Sequence, residues 1–154
     1  MNARSMTGLA LTLGVVMALG CRDSTGPDAF VGTYQLERYE GLPLPAVLQQ
    51  TSTSSVSILN EVLRIGDGGT ALQTSTVRQV TAETPQGKNV SYTATYAYVV
   101  RGSTIELRFV CPPDADCIIA APVVAELTSS GLAISRPASS KPASLYRRVR
   151  STLF

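Results

Sequence analysis

Three cysteines offer the clearest chemistry in this chain: Cys21, Cys111 and Cys117. Cys21 stands at the end of an apolar run, whereas the other two enclose a short loop with two prolines and two aspartates. A cysteine can form a disulfide, act as a nucleophile, bind a metal or accept a lipid. The residues around each cysteine decide among these uses.

The first residues have the three parts of a secretory signal. Arg4 supplies a positive charge, Leu9 to Leu19 is largely apolar, and Gly20 is the small residue before the cleavage point. As a helix, this run would reach only about 20 Å, short of the ~30 Å hydrocarbon core of a bilayer. The sequence therefore predicts a cleaved signal peptide over residues 1–20 rather than a permanent membrane span.

The end of that signal, Ala18-Leu19-Gly20-Cys21, resembles the lipobox of bacterial lipoprotein precursors. In that class the cysteine is diacylated on sulfur and becomes the new N-terminus. Gly20 and Cys21 fit the pattern, whereas Ala18 stands where leucine is common. The resemblance implies that lipid on Cys21 holds the protein on a membrane. An ordinary signal peptide followed by a chance cysteine is the alternative.

Residues 22–28 have no large apolar side chain, so residues 21–29 are predicted to be a flexible tether. The lipoprotein resemblance implies a lipid-anchored place in the cell envelope, at the outer membrane, because the residue directly after Cys21 is Arg22 and not an aspartate. A single folded domain is predicted over residues 30–150, and residues 151–154 are predicted to be a tail.

With Cys21 assigned to lipid, Cys111 and Cys117 remain as an even pair, and disulfides persist in exported proteins. Their spacing is not common for zinc or thioredoxin-like sites. We predict a disulfide, with free thiols as the alternative. Asp114 and Asp116 resemble half of a calcium loop, but the glycine and the later glutamate of an EF-hand are missing. No metal site is expected.

The composition narrows the function classes. The chain has no histidine, which is the commonest general base and metal ligand. Ser-His-Asp and Cys-His nucleophile arrangements are therefore excluded within it. The formal net charge of +2 gives no reason to expect nucleic acid as a partner. We expect a non-catalytic protein with no cofactor.

The elements that position these residues are predicted to be strands. Glycine-containing turn signals recur through the domain, and no window shows a convincing helical stripe. Residues 104–111 alternate apolar and charged side chains, as an antiparallel strand with one buried face does. Pro45 is predicted to begin a short helical turn over residues 46–50. Strands are predicted at residues 30–40, 56–65, 70–81, 90–100, 104–111, 118–128, 132–136 and 144–150.

Short connections between these strands predict an all-β, antiparallel up-and-down meander. About eight such strands can close into a barrel and remove both sheet edges. A two-sheet sandwich is the alternative. The segments Gly32 to Leu36, Gly41 to Pro45 and Leu145 to Arg148 resemble the opening and the end of small lipocalin-like barrel lipoproteins. That resemblance supports a lipocalin-like barrel and implies no particular activity.

Five charged residues are expected on the outward faces of the predicted strands: Glu61, Arg64, Glu106, Arg108 and Glu126. In a lipid-facing band each would cost roughly 2–4 kcal/mol near the bilayer midplane. A barrel that itself spans the membrane is therefore not expected.

Tyr92, Tyr96 and Tyr98 share one face of a predicted strand and could line a ligand cavity, although core or cross-strand packing is the favoured explanation. Two functions follow. One is a binding module for a small apolar ligand or an envelope component. The other is a protein-interaction or hydrolase-inhibitor role through the loop between Cys111 and Cys117.

Overall fold

The computed structural model describes residues 26–117, 121–136 and 140–149. A short 3-10 helix at Pro27–Ala29 precedes ten strands. The predicted signal peptide, the anchor Cys21, most of the tether and the tail lie outside the described residues. The strands are β1 (Gly32–Tyr39), β2 (Leu42–Pro43), β3 (Ala46–Gln50), β4 (Ser55–Ile65), β5 (Thr70–Val80), β6 (Lys88–Arg101), β7 (Thr104–Phe109), β8 (Val123–Leu127), β9 (Gly131–Ser135) and β10 (Ser144–Val149).

Eight of these strands close an antiparallel barrel, which confirms the predicted fold class and is consistent with a lipocalin-like barrel. From β4 to β10 each strand pairs with the next one along the chain. Strand β10 then pairs with β1, and β1 pairs with β4 to complete the ring. Closure pairs strand edges that an open sheet would leave exposed.

The seam between β1 and β4 is short and explains the two strands that the sequence did not predict. Residues 32–35 of β1 face residues 62–65 of β4, and beyond them the two strands separate. There β1 turns back to pair with β2, while the first part of β4 pairs with β3. The helical turn predicted over residues 46–50 is wrong. Ala46 is buried and pairs with Ile58, so burial against β4 outweighs the helix-start signal of Pro45.

The strands differ strongly in length. Strands β4, β5 and β6 have 11, 11 and 14 residues, whereas β7 to β10 have five or six. At ~3.3 Å per residue, strands β4 to β6 are longer than the short ones by roughly 15–30 Å. The strand predicted over residues 118–128 is shorter than expected: residues 118–120 lie outside the described chain, and β8 begins only after Pro122.

One end of the barrel, here called the closed end, contains the β4–β5, β6–β7 and β8–β9 turns. Phe30, Tyr34, Ile105 and Leu132 are at most 1 % exposed and pack in the core. The 3-10 helix brings Phe30 within reach of β1, where the Tyr34 hydroxyl donates to the Phe30 carbonyl at 2.8 Å. Gly131 is required here, because an added Cβ would lie 1.9 Å from the Tyr146 carbonyl oxygen on β10.

Candidate functional site

The opposite end of the barrel, the open end, contains a cavity of about 110 Å³. Its lining divides by chemistry into three groups. The polar floor comprises Glu61, Gln73, Tyr96 and Tyr146; the apolar wall comprises Leu63, Leu107, Val123 and Ile134; and the rim includes Tyr39, Glu40, Arg136 and Lys141. Each of the strands β4 to β10 contributes at least one lining residue. Tyr39 comes from the end of β1, and Glu40 comes from the turn between β1 and β2.

Glu61 is the buried acid of this site and is only 5 % exposed. The prediction that it lies on an outward face is wrong. The pairing of β4 with β5 shifts between Ile58 and Asn60, so Leu59 is an extra residue in a β-bulge. After the bulge, Glu61 shares the inner face with Leu63. The period-two spacing of these two residues was the sequence signal that could have shown this orientation.

Two hydroxyl groups hold the Glu61 carboxylate in place. Tyr146 on β10 donates to one carboxylate oxygen, and Ser75 on β5 donates to the other. Ser75 is the register partner of Glu61 across the β4–β5 ladder, which places the two side chains on the same face. Each carboxylate oxygen accepts from one protein hydroxyl and has a further lone pair for another donor.

The remaining hydroxyl of the floor is also directed at a protein acceptor. Tyr96 donates to the Gln73 side-chain oxygen at 2.6 Å. The hydroxyl hydrogens of Tyr146 and Tyr96 are thus both used within the protein. Apart from the Gln73 amide nitrogen, the floor presents mainly lone pairs of oxygen to the cavity.

The two floor tyrosines stay neutral at physiological pH. Burial raises the pKa of Tyr146 well above its ordinary 10.0, and the charge and hydrogen bond of Glu61 raise it further. Burial also raises the pKa of Tyr96, with a second contribution from the Glu61 charge. The negative charge of the floor therefore belongs to Glu61, and the phenols act as neutral hydrogen-bond donors.

The rim contains a small ionic cluster around Glu40. Its carboxylate lies 2.5 Å from Lys141 Nζ and 3.5 Å from Arg136 Nη1. The Glu40 backbone N–H donates to Ser144 Oγ at 3.1 Å, which fixes the β1–β2 turn against β10. The hydrogen bond to Glu40 raises the pKa of Lys141. Both cations are therefore charged beside the opening of the cavity.

The three tyrosines considered from the sequence as possible cavity-lining residues have three different environments. Tyr96 lines the cavity. Tyr98 is buried at the closed end, where its hydroxyl donates to the Gly66 carbonyl at 2.6 Å. Tyr92 is 51 % exposed and accepts from Gln79 Nε2 at 2.7 Å. Because β6 is far longer than its neighbour β7, residues on one face of β6 lie in the core, at the cavity and in solvent at successive points along the strand.

The two remaining cysteines form the predicted disulfide. Cys111 and Cys117 are joined, with their Cα atoms 5.9 Å apart. Residues 111–116 are exposed at the open end, as are the neighbouring apolar residues Phe109 and Val110. Asp114 and Asp116 lie in this exposed loop, and the described residues contain no cluster of acids and cysteines suited to a metal ion.

Comparisons with protein families, with curated proteins and with solved structures give no match for this chain. Within residues 26–117, 121–136 and 140–149 there is no helix long and apolar enough to cross a membrane. The class of protein is thus defined by its own geometry: an eight-stranded, lipocalin-like barrel with a small cavity that has a polar floor and an apolar wall.

Proposed function

We propose that this protein is a lipid-anchored binding module of the bacterial envelope and that it holds a small ligand in its barrel cavity. The observation that supports this most directly is the buried carboxylate of Glu61 at the cavity floor. A buried charge is costly unless it is paired or hydrogen-bonded. A packed barrel would be stable without one, so its presence at a cavity favours a binding role.

The chemistry of the floor favours a ligand that donates hydrogen bonds. Glu61, Gln73 and Tyr96 offer oxygen lone pairs, and the nearby hydroxyl hydrogens are already donated to protein atoms. A primary ammonium group has three N–H donors and a positive charge, which complements this surface. The purely apolar ligand considered from the sequence would leave the carboxylate facing hydrocarbon. A small amine fits the site better.

The size of the cavity sets an upper limit on the ligand. A cavity of roughly 150 Å³ is known to accept benzene, which has about six heavy atoms. The 110 Å³ described here suits a ligand of similar or smaller size, with any longer part extending past the rim. Typical sites for drug-sized ligands are several times larger, at about 300–1,000 Å³.

Binding can be tested with ethylammonium chloride and the processed, full-length protein in detergent micelles. The chain contains no tryptophan, so the emission of its six tyrosines, which include Tyr96 and Tyr146 on the floor, can be followed without tryptophan interference. We expect a saturable change in that emission, weakened at least about tenfold by Glu61→Gln, which corresponds to about 1.4 kcal/mol. Glu126→Gln, on the exposed face of β8, is the matched control and should bind as the wild type does. Unchanged binding in Glu61→Gln would reject the site.

The anchor rests on the lipobox resemblance at Cys21, and its test is separate. Two acyl chains hold a protein stably on a membrane where one chain is marginal. We expect Cys21→Ser to leave the membrane fraction or to remain unprocessed. If this variant fractionates and migrates as the wild type does, the protein is not lipid-anchored through this residue.

A second candidate function is protein interaction through the disulfide loop. The observation in its favour is the exposed, closed loop from Cys111 to Cys117 beside the exposed Phe109. A preorganised loop loses little entropy on binding. Cross-linking from position 115 in native envelope would give one dominant protein adduct under this alternative, whereas the cavity function predicts none.

A further inference from the structure

The charges around the cavity balance to zero but are not evenly placed. Glu61 and Glu40 contribute two negative charges, and Arg136 and Lys141 contribute two positive charges. Glu61 is buried at the floor, whereas the side chains of Arg136 and Lys141 are 62 % and 66 % exposed. Both cations lie on the rim with a single acid between them. The floor is therefore negative and the rim has an excess of positive charge.

Glu40 and the Tyr39 hydroxyl, which also hydrogen-bonds with Arg136, do not use up the hydrogen-bonding capacity of this side chain. A guanidinium has five N–H donors in a fixed planar arrangement. Glu40 contacts Arg136 Nη1 at 3.5 Å, longer than its 2.5 Å contact to Lys141. Arginine at an opening is also the side chain best suited to a carboxylate, because it can donate two parallel hydrogen bonds. The rim thus has a donor for an anionic group above a floor that accepts a cationic group.

This separation has a consequence for the ligand. A ligand with only an ammonium group would complement the floor and place a neutral or apolar end beside the rim cations. A ligand with only a carboxylate would be opposed by Glu61. A ligand with both groups complements both ends and leaves the net charge of the site unchanged. Like charges at close range repel, so this arrangement of charges rejects ligands with the wrong charge as well as attracting the zwitterion.

We propose that the ligand is a small zwitterion, with its ammonium group on Glu61 and its carboxylate on Arg136. This rests on the proposed function and narrows it to a substrate class. The 110 Å³ cavity limits the part inside the barrel to about six heavy atoms, the size of alanine or β-alanine. Larger amino acids would have to place their side chains outside the rim.

The test compares the affinity of each zwitterion with that of its amide, which lacks the negative charge. Glycine, alanine and β-alanine are titrated into the full-length protein in detergent micelles, followed by their amides, which keep the ammonium group. Calorimetry and tyrosine emission measure the affinity. We expect at least one zwitterion to bind about tenfold or more tightly than its amide. Propionate, which has only the negative charge, should not bind measurably.

The role of Arg136 is tested with a matched pair of variants. In Arg136→Gln, the zwitterion should lose its advantage over the amide while the affinity of the amide stays as it is. Arg147→Gln is the control, because Arg147 is also exposed but pairs with Glu37 on the outer face at 3.1 Å. It should keep the preference. Circular dichroism of both variants verifies that the barrel is intact.

The outcomes separate the two proposals. If the amides and ethylammonium bind as tightly as the zwitterions, the zwitterion inference is overturned and the proposed function stands. If Arg136→Gln keeps the full preference for the zwitterion, the assigned role of Arg136 is overturned. If none of the zwitterions, the amides or ethylammonium binds at millimolar concentration, both the inference and the proposed function fail.

Discussion

The two ends of the barrel use tyrosine hydroxyls in different ways. At the closed end, Tyr34 and Tyr98 donate to backbone carbonyls of Phe30 and Gly66. At the open end, Tyr146 and Tyr96 donate to side chains, the first to Glu61 and the second to Gln73. Backbone acceptors are fixed by the fold, whereas side-chain acceptors are free to vary with sequence. We therefore assign a structural role to the tyrosine hydrogen bonds of the closed end. Those of the open end belong to the part of the molecule that can be adapted to a ligand.

The largest expected loss of stability comes from core substitutions, and its size should differ between the two ends of the barrel. Ile105 and Leu107 follow one another on the inner face of β7, but Ile105 packs at the closed end and Leu107 borders the cavity. Both replacements by alanine should cost about 2–5 kcal/mol. We expect Ile105→Ala to cost more, because Leu107 lacks packing partners on its cavity side. Urea unfolding measures both, and a larger loss for Leu107→Ala would contradict the comparison.

The next effect concerns the hydrogen bond between Tyr146 and Glu61. Tyr146→Phe removes a donor from a buried carboxylate and should cost about 1–3 kcal/mol at neutral pH. Tyr92→Phe is the control, since Tyr92 is exposed, and it should be nearly neutral. Chemical denaturation of the two variants makes the measurement. If Tyr146→Phe lowers the free energy of unfolding no more than Tyr92→Phe does, the hydrogen bond from Tyr146 on β10 does not stabilise the Glu61 carboxylate.

The same tyrosine predicts a dependence on alkaline pH. The pKa of Tyr146 is higher in the folded protein than its ordinary 10.0 because of burial. Its contribution to stability is therefore fully present below about pH 10 and is lost as pH rises towards the folded-state pKa. We expect Tyr146→Phe to lose less stability than the wild type between about pH 8 and pH 11. If the free energy of unfolding falls with pH at the same rate in both proteins, Tyr146 does not cause the alkaline loss of stability.

A smaller effect is expected from the disulfide loop at the open end. Cys111 and Cys117 are six positions apart, so their bond closes a short loop. Loop-closure entropy gives about 2 kcal/mol or less for such a loop, and its two prolines already restrict the unfolded chain. Reduction should lower the unfolding midpoint slightly and leave the barrel folded. Non-reducing digestion with mass spectrometry should find the linked peptide, and two freely alkylated thiols would refute the pairing.

The smallest effect is expected on the outer wall. Arg108 is exposed and pairs with Glu106, which also pairs with Arg101. Exposed ion pairs contribute little, and here the acid keeps a second partner. Arg108→Ala should therefore unfold at the same urea concentration as the wild type. A loss comparable to that of Leu107→Ala would mean that the two faces of β7 are assigned wrongly.

The sequence predicted those parts of the fold that depend on local pattern. The alternation of apolar and charged residues in β7 predicted the correct buried face of that strand. The regularly spaced turn signals predicted the up-and-down order of the strands. The site was largely missed, because its contacts join distant residues: Glu61 and Tyr146 are 85 positions apart, and Arg136 and Glu40 are 96 apart. Glu61 was misplaced because a charged residue was expected to face solvent. The bulge beside it and the pairing of β3 with β4 depend on tertiary packing, which a single sequence does not display.

The pairing of the first barrel strand with the last has a consequence for the timing of folding. Thr33 on β1 pairs with Val149 on β10, so the ring is complete only when nearly the whole chain is present. Contacts so distant in sequence form late, because a long loop must first be closed. If the chain crosses a membrane N-terminus first, β1 emerges long before its partner. Strand β1 therefore lacks its partner β10 while the hairpins from β4 onward form. A chaperone that shields an unpaired strand would act in this interval.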